Sequence, residues 1–177
     1  MPASGPRSRR DWGWHPLRPE WARRVVDSAD VRPGELVLDL GAGDGALTAH
    51  LLAARARVVA VELHPRRAAA LRERFAGRDV KVVRTDLRDL RLPQRPFRVV
   101  ASPPYQLSTE LVRTLLGTDR LLSADLVLQR SAVRRLVERA PRARHARRYR
   151  LEAGLSVPRS AFRPPPRVDS MVLTIRR

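Results

Sequence analysis

A short loop of glycines and carboxylates is the first part of the chain whose residue types and spacing could do chemistry. Residues 39–45 read DLGAGDG and lie between a predicted strand and a predicted helix, where glycine lets the backbone pass close to a ligand. Glu62 ends the next predicted strand, about 20 residues beyond Gly41. A carboxylate there can accept both ribose hydroxyls of an adenosine-containing cofactor. The loop and Glu62 together predict a site for such a cofactor.

The charge of the loop separates two kinds of cofactor. Asp39 and Asp44 would lie near the pyrophosphate of a dinucleotide and repel it, and the third glycine follows the second by two residues rather than three. A cofactor with a cationic sulfonium and no phosphate tolerates both carboxylates. The sequence therefore favours S-adenosylmethionine, with NAD as the alternative. Asp86, which precedes Leu87 after the third predicted strand, could bind the adenine amine of the cofactor or simply cap a turn.

The most specific segment is residues 99–105 (VVASPPY), a proline-rich turn that places polar groups and an aromatic ring at the end of a predicted strand. A second proline-rich segment, residues 162–170 (FRPPPRVDS), follows near the carboxyl end. With this turn, the chain resembles the ribosomal RNA adenine N6-methyltransferases, in particular the Erm proteins that confer macrolide resistance. The likeness runs from about Trp14 to Arg177 and is that of a short member of the family. The segments that carry it are residues 39–45, Glu62, Asp86, residues 99–105 (VVASPPY) and residues 162–170 (FRPPPRVDS).

The resemblance implies that the turn holds the target adenine. The family usually has Asn at the position of Ser102, and this Asn and the next backbone carbonyl accept the two amine hydrogens of the base. A serine hydroxyl can accept one such bond, at shorter reach. That acceptance would aim the N6 lone pair at the sulfonium methyl, which makes Ser102, Pro103 and Tyr105 the predicted catalytic residues. Tyr105 would stack on the extruded base and Phe162 would form a second aromatic wall, although either ring could be a core residue instead.

The resemblance also implies a cofactor contact near the amino terminus, where the family usually has QNFL and residues 14–17 here read WHPL. His15 would take the polar contact to the cofactor and Leu17 the backbone or apolar contact, while a surface position at a helix entry is the alternative for His15. The complete set of predicted cofactor-binding residues is His15, Leu17, Gly41, Gly43, Glu62, Leu63, Asp86, Leu87 and Ser102.

A third difference from the family, after those at Ser102 and at residues 14–17, concerns how RNA is bound. Full-length relatives carry a helical domain after the strand that ends here at Arg177, and we expect it to be absent. The arginine-rich residues 134–150 and the basic residues 7–10 could supply phosphate contacts in its place, or form a solvated surface. The arginines predicted to bind the substrate are Arg134, Arg135, Arg147 and Arg148.

Composition supports a polyanionic partner. Lys and Arg total 36 against 18 for Asp and Glu, a net charge of +18, and all but one of these cations are arginines. Guanidinium groups suit bidentate phosphate contacts and stacking on bases, and no amphipathic apolar stripe accompanies them, so nucleic acid is favoured over a membrane. The chain has no cysteine and its four histidines are scattered, which predicts no metal site. Without an apolar segment long enough to span a bilayer or a signal core, we expect a cytoplasmic monomer.

The elements that must position these residues alternate between strand and helix. After a basic arm at residues 1–14, residues 15–177 predict one domain of the α/β class: a Rossmann-like class I methyltransferase fold with a mostly parallel, doubly wound sheet and an antiparallel last strand. The predicted helices span residues 17–29, 46–56, 65–75, 108–116 and 132–139. The predicted strands span residues 36–40, 58–61, 80–83, 97–101, 126–128, 149–157 and 171–175.

The resemblance leads to a specific functional hypothesis. It implies methyl transfer from S-adenosylmethionine to N6 of an adenine in large-subunit (23S) ribosomal RNA, before or during ribosome assembly, with macrolide-lincosamide-streptogramin resistance as the consequence. A dimethyltransferase acting on small-subunit ribosomal RNA is the nearest alternative. A catalytically weak RNA-binding or assembly factor is an alternative of another class, for which Ser102 is the main support.

Overall fold

The computed structural model describes residues 14–177, so all of the predicted basic arm except Trp14 lies outside the described residues. The chain alternates strand and helix before two final strands. The helices are α1 (Pro19–Ser28), α2 (Ala46–Ala53), α3 (Pro65–Arg74), α4 (Ser108–Leu116) and α5 (Arg130–Glu138). The strands are β1 (Leu36–Leu40), β2 (Arg57–Val61), β3 (Val80–Val83), β4 (Phe97–Ala101), β5 (Leu121–Gln129), β6 (Arg150–Val157) and β7 (Ser170–Arg176).

The seven strands form one sheet in the order β3-β2-β1-β4-β5-β7-β6. Strands β1 to β5 pair in parallel, whereas β7 is antiparallel to both β5 and β6. The strand order reverses between β1 and β4. In open α/β sheets, ligands bind outside the carboxyl ends of the strands at such a reversal. The glycine loop follows β1 and the proline-rich turn follows β4, so the topology brings the two predicted motifs together.

The core lies on both faces of the sheet because successive side chains of a strand point to opposite faces. Val37 packs on one face with α1, α2 and α3, whereas Leu38 packs on the other with α4 and α5. Two helical layers therefore cover the sheet, as its nearly continuous apolar strands require. Among residues 14–177, no helix has the length and apolar character needed to cross a membrane.

The predicted elements all occur, and β5 departs most from its predicted length. Strand β5 spans nine residues, whereas the sequence predicts only residues 126–128. The missed portion contains Asp125, which is buried in the middle of the sheet and pairs with Arg176 of β7 at 2.7 Å. An ion pair between neighbouring strands, with its carboxylate buried and its guanidinium partly exposed, therefore lies where the apolar pattern of β5 is interrupted. Strands β7 and β6 complete this side of the sheet as an antiparallel pair.

Candidate active site

The glycine loop leaves β1 and is fixed to the end of β2. The N–H groups of Gly41 and Ala42 both donate to the Val61 carbonyl, at 2.8 and 2.9 Å. Gly43 has φ of +60°, and a Cβ at this position would lie 2.6 Å from the indole nitrogen of Trp14. Glycine is therefore needed here, both for the left-handed backbone and because the Trp14 ring lies against the loop.

Glu62 is buried beneath this loop, and its carboxylate is already oriented by protein donors. Oε2 accepts a hydrogen bond from the Gly43 N–H at 2.8 Å, and Oε1 accepts one from the His64 N–H at 2.9 Å. The Arg67 guanidinium pairs with Oε1 at 3.0 Å and also lies over the Trp14 ring, 4.6 Å from its centroid. Because a carboxylate has about four acceptor positions, Oε2 retains one that a ribose hydroxyl could use.

Asp39 is the buried carboxylate of the glycine loop. Its Oδ2 accepts a hydrogen bond from the Thr48 hydroxyl at 2.7 Å, while Oδ1 has no hydrogen-bond partner among the described residues. Burial, with a smaller contribution from the charge of Glu62, raises the pKa of this carboxyl to about 7 against the opposing effect of the Thr48 hydrogen bond. Asp39 lines a small cavity of about 30 Å³ with Gly43 and Ser102. An unpartnered buried carboxylate suits a ligand that carries a positive charge.

The main cavity, of about 250 Å³, adjoins this small one and is lined by further residues predicted to bind the cofactor. Asp86, Leu87 and Leu63 all line it, together with Glu62. Asp86 also caps the short 3-10 turn that follows it, since its carboxylate accepts from the Arg88 N–H at 2.9 Å. Asp86 therefore caps the turn and also lines the cavity, and its binding of the cofactor adenine stays a prediction.

The proline-rich turn forms the opposite wall of the main cavity. Gly41 lies so close to it that a Cβ there would be 3.2 Å from Pro104 Cδ. Ser102 lines both cavities, and Tyr105 lines the main one with its hydroxyl 2.9 Å from Ser170 Oγ. Burial raises the pKa of the Tyr105 phenol, so this group stays neutral and able to donate a hydrogen bond. Ser102, Pro103 and Tyr105 thus share one cavity with Glu62, as the sequence predicts.

One residue predicted for the site lies outside the cavity linings. Phe162 is 1% exposed, packs in the core and is outside the lining of both cavities, as in the core alternative, and its part in the base pocket stays a prediction from the resemblance. An isolated β-bridge joins it to Leu17, which is also buried but reaches the small cavity. The ring that faces Tyr105 is His15, with its centroid 6.2 Å away and an interplanar angle of 16°.

The predicted RNA-binding arginines lie in two separate regions of the structure. Arg134 and Arg135, hereafter the groove pair, line a basic groove with Arg130, Arg159 and Arg167. This groove adjoins the site, since the Arg130 N–H donates to the carbonyl of Asp169, the residue before Ser170.

Arg147 and Arg148, hereafter the far pair, lie near the start of β5, at the opposite end of this strand from α5. The residue after them, Tyr149, hydrogen-bonds through its hydroxyl to the Thr118 carbonyl at 2.7 Å, just before β5 begins. The nine residues of β5 span about 26 Å, so the far pair is not brought to the main cavity.

Comparison with known proteins gives the family. The model of the family described as "Ribosomal RNA adenine dimethylase" matches residues 9–177. A ribosomal RNA small subunit methyltransferase A of Thermosynechococcus vestitus is 34% identical, over 96% of this chain and 70% of its own. The crystal structure of the 23S rRNA methyltransferase ErmE has a TM-score of 0.80 and 32% identity, with 91% of this chain and 69% of that chain covered. The chain belongs to the ribosomal RNA adenine dimethylase family.

This family assignment confirms the predicted resemblance and the class I methyltransferase fold. The chain spans little more than half of some relatives, such as a Saccharomyces cerevisiae dimethyladenosine transferase, of which it covers 56% at 34% identity. The family also confirms S-adenosylmethionine as the predicted cofactor. Within residues 14–177, no group of three or more His, Asp or Glu side chains is arranged to hold a metal ion.

The residues present fit this cofactor. Glu62 offers an acceptor for a ribose hydroxyl, Asp86 and Leu87 line the same cavity and would hold the adenine, and the unpartnered Oδ1 of Asp39 suits a cationic group. Gly41 and Gly43 line the small cavity together with Ser102. When bound, the cofactor supplies an electrophilic methyl group on its sulfonium.

Sequence reasoning did not assign Arg67 or Trp14 to the site. The structure brings both to the main cavity, where Arg67 links the Glu62 carboxylate to the Trp14 ring. Arg67 lies five residues after Glu62, on the first turns of α3, so an arginine at this spacing from a strand-end carboxylate was the available signal. For Trp14, the only signal in the sequence was its position next to His15.

Proposed function

We propose that this chain transfers a methyl group from S-adenosylmethionine to N6 of an adenine in ribosomal RNA. The observation that carries the proposal is the arrangement of Ser102 and Tyr105 in one cavity with Glu62 and Asp86. A cofactor site and a base site that share Ser102 can place a methyl donor and an amine acceptor next to each other. Such proximity is a main source of rate enhancement in group transfer between two bound molecules.

Ser102 and Tyr105 have separate roles in this proposal. The Ser102 hydroxyl accepts a hydrogen bond from the N6 amine, which directs the nitrogen lone pair toward the small cavity. The Tyr105 ring stacks on the base once it has left the RNA stack, and its hydroxyl is fixed by Ser170.

The basic groove supports RNA as the substrate. Four of its five arginines are exposed: the groove pair, Arg159 and Arg167. They lie beside Asp169, next to the residue that fixes Tyr105. A nucleotide inserted against Tyr105 would therefore have its flanking phosphates within reach of guanidinium groups, which bind phosphate in a bidentate manner. The far pair lies too distant to contact the same nucleotides.

Large-subunit (23S) ribosomal RNA is the target that we propose, with macrolide-type resistance as its consequence. It is supported by the similarity to the 23S rRNA methyltransferase ErmE, which has the higher TM-score of two related enzymes, 0.80 against 0.75 for a dimethyladenosine transferase of Plasmodium falciparum. Small-subunit RNA is the second candidate, and the 34% identity to the small subunit methyltransferase A of T. vestitus favours it.

Methyl transfer from radiolabelled S-adenosylmethionine to separate unmethylated transcripts of large- and small-subunit RNA tests the proposal. We expect label in the large-subunit transcript, which primer extension then locates at one adenine. Label confined to the small-subunit transcript would select the second candidate. RNA binding without any label would indicate the assembly factor instead and contradict the proposal.

A further inference from the structure

Arg67 of α3 connects two walls of the main cavity that are far apart in the sequence. It is the third residue of the helix, and helical side chains lean toward the amino-terminal end, so its guanidinium points back toward the end of β2. There its Nε and one terminal nitrogen lie 3.1 and 3.0 Å from Glu62 Oε1. The guanidinium carbon also lies 4.6 Å from the centroid of the Trp14 ring. One cation therefore contacts both a buried carboxylate and an indole.

The contacts of Arg67 complete a closed circuit of four residues. The Gly43 N–H donates to Glu62 Oε2 at 2.8 Å, and the Trp14 indole lies against Gly43, where a Cβ would be 2.6 Å from the indole nitrogen. Trp14, Glu62 and Arg67 line the main cavity, and Trp14 and Gly43 line the small one. A change at any one of the four residues is therefore felt by the carboxylate and by the glycine loop.

The direction of the Glu62 carboxylate is set by protein donors, because this residue is only 4% exposed. Its Oε1 accepts from the His64 N–H as well as from Arg67, so two groups limit its rotation. An acceptor that is held in place before the ligand arrives loses little freedom on binding, which raises affinity. Without Arg67, the carboxylate would lose a balancing charge and one of the contacts that orient it.

We propose that Arg67 is a positioning residue of the cofactor site. It holds Glu62 in the direction that a ribose hydroxyl needs, and it couples this carboxylate to the seating of Trp14 on the glycine loop. Arginine suits both tasks because its guanidinium is forked and planar and stacks on aromatic rings, whereas lysine offers a point charge. The inference rests on the proposed role of Glu62 as a ribose acceptor and is independent of which RNA is methylated.

Four variants separate the parts of this role. Arg67→Met removes the charge and keeps a long side chain, and Arg67→Lys keeps the charge without the fork. Trp14→Leu removes the ring. Arg66→Met is the matched control, since it removes the same charge from an exposed neighbour on α3 that is outside the cavity lining. The melting temperature of each variant is compared with that of wild type, so that a loss of folding is recognised.

The measurement is calorimetric binding of S-adenosylhomocysteine and of its 2′,3′-dideoxy analogue, which lacks both ribose hydroxyls. Wild type should prefer the hydroxylated ligand by at least about tenfold, the contribution of a hydrogen bond to a charged acceptor. Arg67→Met should bind the hydroxylated ligand about 5- to 30-fold more weakly and the dideoxy analogue within about twofold of wild type. Arg67→Lys should show a smaller loss, again confined to the hydroxylated ligand, and Arg66→Met should match wild type.

The coupling to Trp14 is measured with the double variant Trp14→Leu/Arg67→Met. The effect of Arg67→Met on affinity should be at least about threefold smaller in the Trp14→Leu background, because the ring that helps to hold the guanidinium is already absent. Losses of affinity that simply multiply in the double variant would contradict the coupling.

Equal losses for both ligands in Arg67→Met, as a merely structural role would give, or no loss for either, would overturn the positioning role. If Arg67→Met does not fold, the same comparison with Arg67→Lys decides the question by the same criterion. Wild-type protein that binds both ligands equally would overturn the ribose role of Glu62, and this inference with it. Since the binding assay contains no RNA, a failure of the proposed methyl transfer to RNA would appear only in the labelling of ribosomal RNA.

Discussion

The charge state of Asp39 predicts that cofactor binding depends on pH near neutrality. Burial raises the pKa of this carboxyl from 3.8 to about 7. A cofactor that brings positive charge to its unpartnered Oδ1 binds the ionised form, so below this pKa binding must first displace a proton. At pH 6 the ionised fraction is about a tenth, and affinity should be roughly tenfold below its plateau, equivalent to about 1.4 kcal/mol. Binding at that pH should also release close to one proton.

Titration calorimetry with S-adenosylmethionine, in two buffers of different ionisation enthalpy, measures both quantities. The range should be about pH 5.5 to 7.5, because the α-amino group of the cofactor itself titrates near pH 8. Asp39→Asn is the control, since an amide cannot titrate, and both the slope and the proton release should disappear in it. An affinity of the wild type that is flat over this range, or a slope that survives in Asp39→Asn, would refute the reasoning.

The same pKa shift acts on stability with the opposite sign. A carboxyl whose pKa is raised on folding stabilises the folded state while it is protonated. That contribution is complete below about pH 4 and is lost as the pH rises through about 7. Without cofactor, Asp39→Asn should therefore melt at a higher temperature than wild type at pH 8, with no such gain near pH 4.

Further predictions concern the cofactor site, the RNA-binding groove and the sheet. Glu62→Ala should weaken cofactor binding by about 1–3 kcal/mol in calorimetry and leave RNA affinity unchanged; unaltered cofactor affinity in both this variant and Asp86→Ala would contradict the site. Replacing the groove pair with alanine should weaken RNA binding and reduce the slope of log affinity against log salt concentration by about 1–2. Replacing the far pair removes the same charge and should change RNA affinity little. Equal losses of RNA affinity in both variants would mean non-specific attraction. Arg176→Ala should lower the free energy of unfolding in urea by about 1–3 kcal/mol, because it leaves Asp125 buried without its partner, and a loss below about 0.5 kcal/mol would show that water replaces the pair.

The sequence predicted the parallel part of the fold well, because each strand there is a short apolar run between turn signals. Strands β3 and β4 and helix α4 begin and end where the pattern predicts. The start of β5 was missed because Asp125 reads as a polar break in an apolar run. Its charge is paired with Arg176, which lies 51 residues further along the chain. Local periodicity carries no information about a partner at that distance.

The site was predictable where motifs follow strand ends and less so elsewhere. Glu62 follows β2 and Ser102 follows β4, the two strands that flank β1 in the parallel sheet, so their proximity follows from topology. Phe162 and His15 lie on irregular segments, where sequence spacing does not determine which ring faces a cavity. The arginine-rich stretch was predicted as one surface, but the length of β5 separates its two ends.

Nucleoside analysis of the product tests the central claim most directly. Ribosomal RNA incubated with labelled S-adenosylmethionine is digested, and the labelled nucleoside is identified by mass spectrometry for wild type, Ser102→Ala, Ser102→Asn and Tyr105→Ala. We expect label only in N6-methylated adenosine, a severe loss of rate in Tyr105→Ala, a smaller loss in Ser102→Ala, and a preserved or higher rate in Ser102→Asn, which restores a longer acceptor. Label at any other atom, or full activity in both Tyr105→Ala and Ser102→Ala, would contradict the assignment of this turn as the place of methyl transfer.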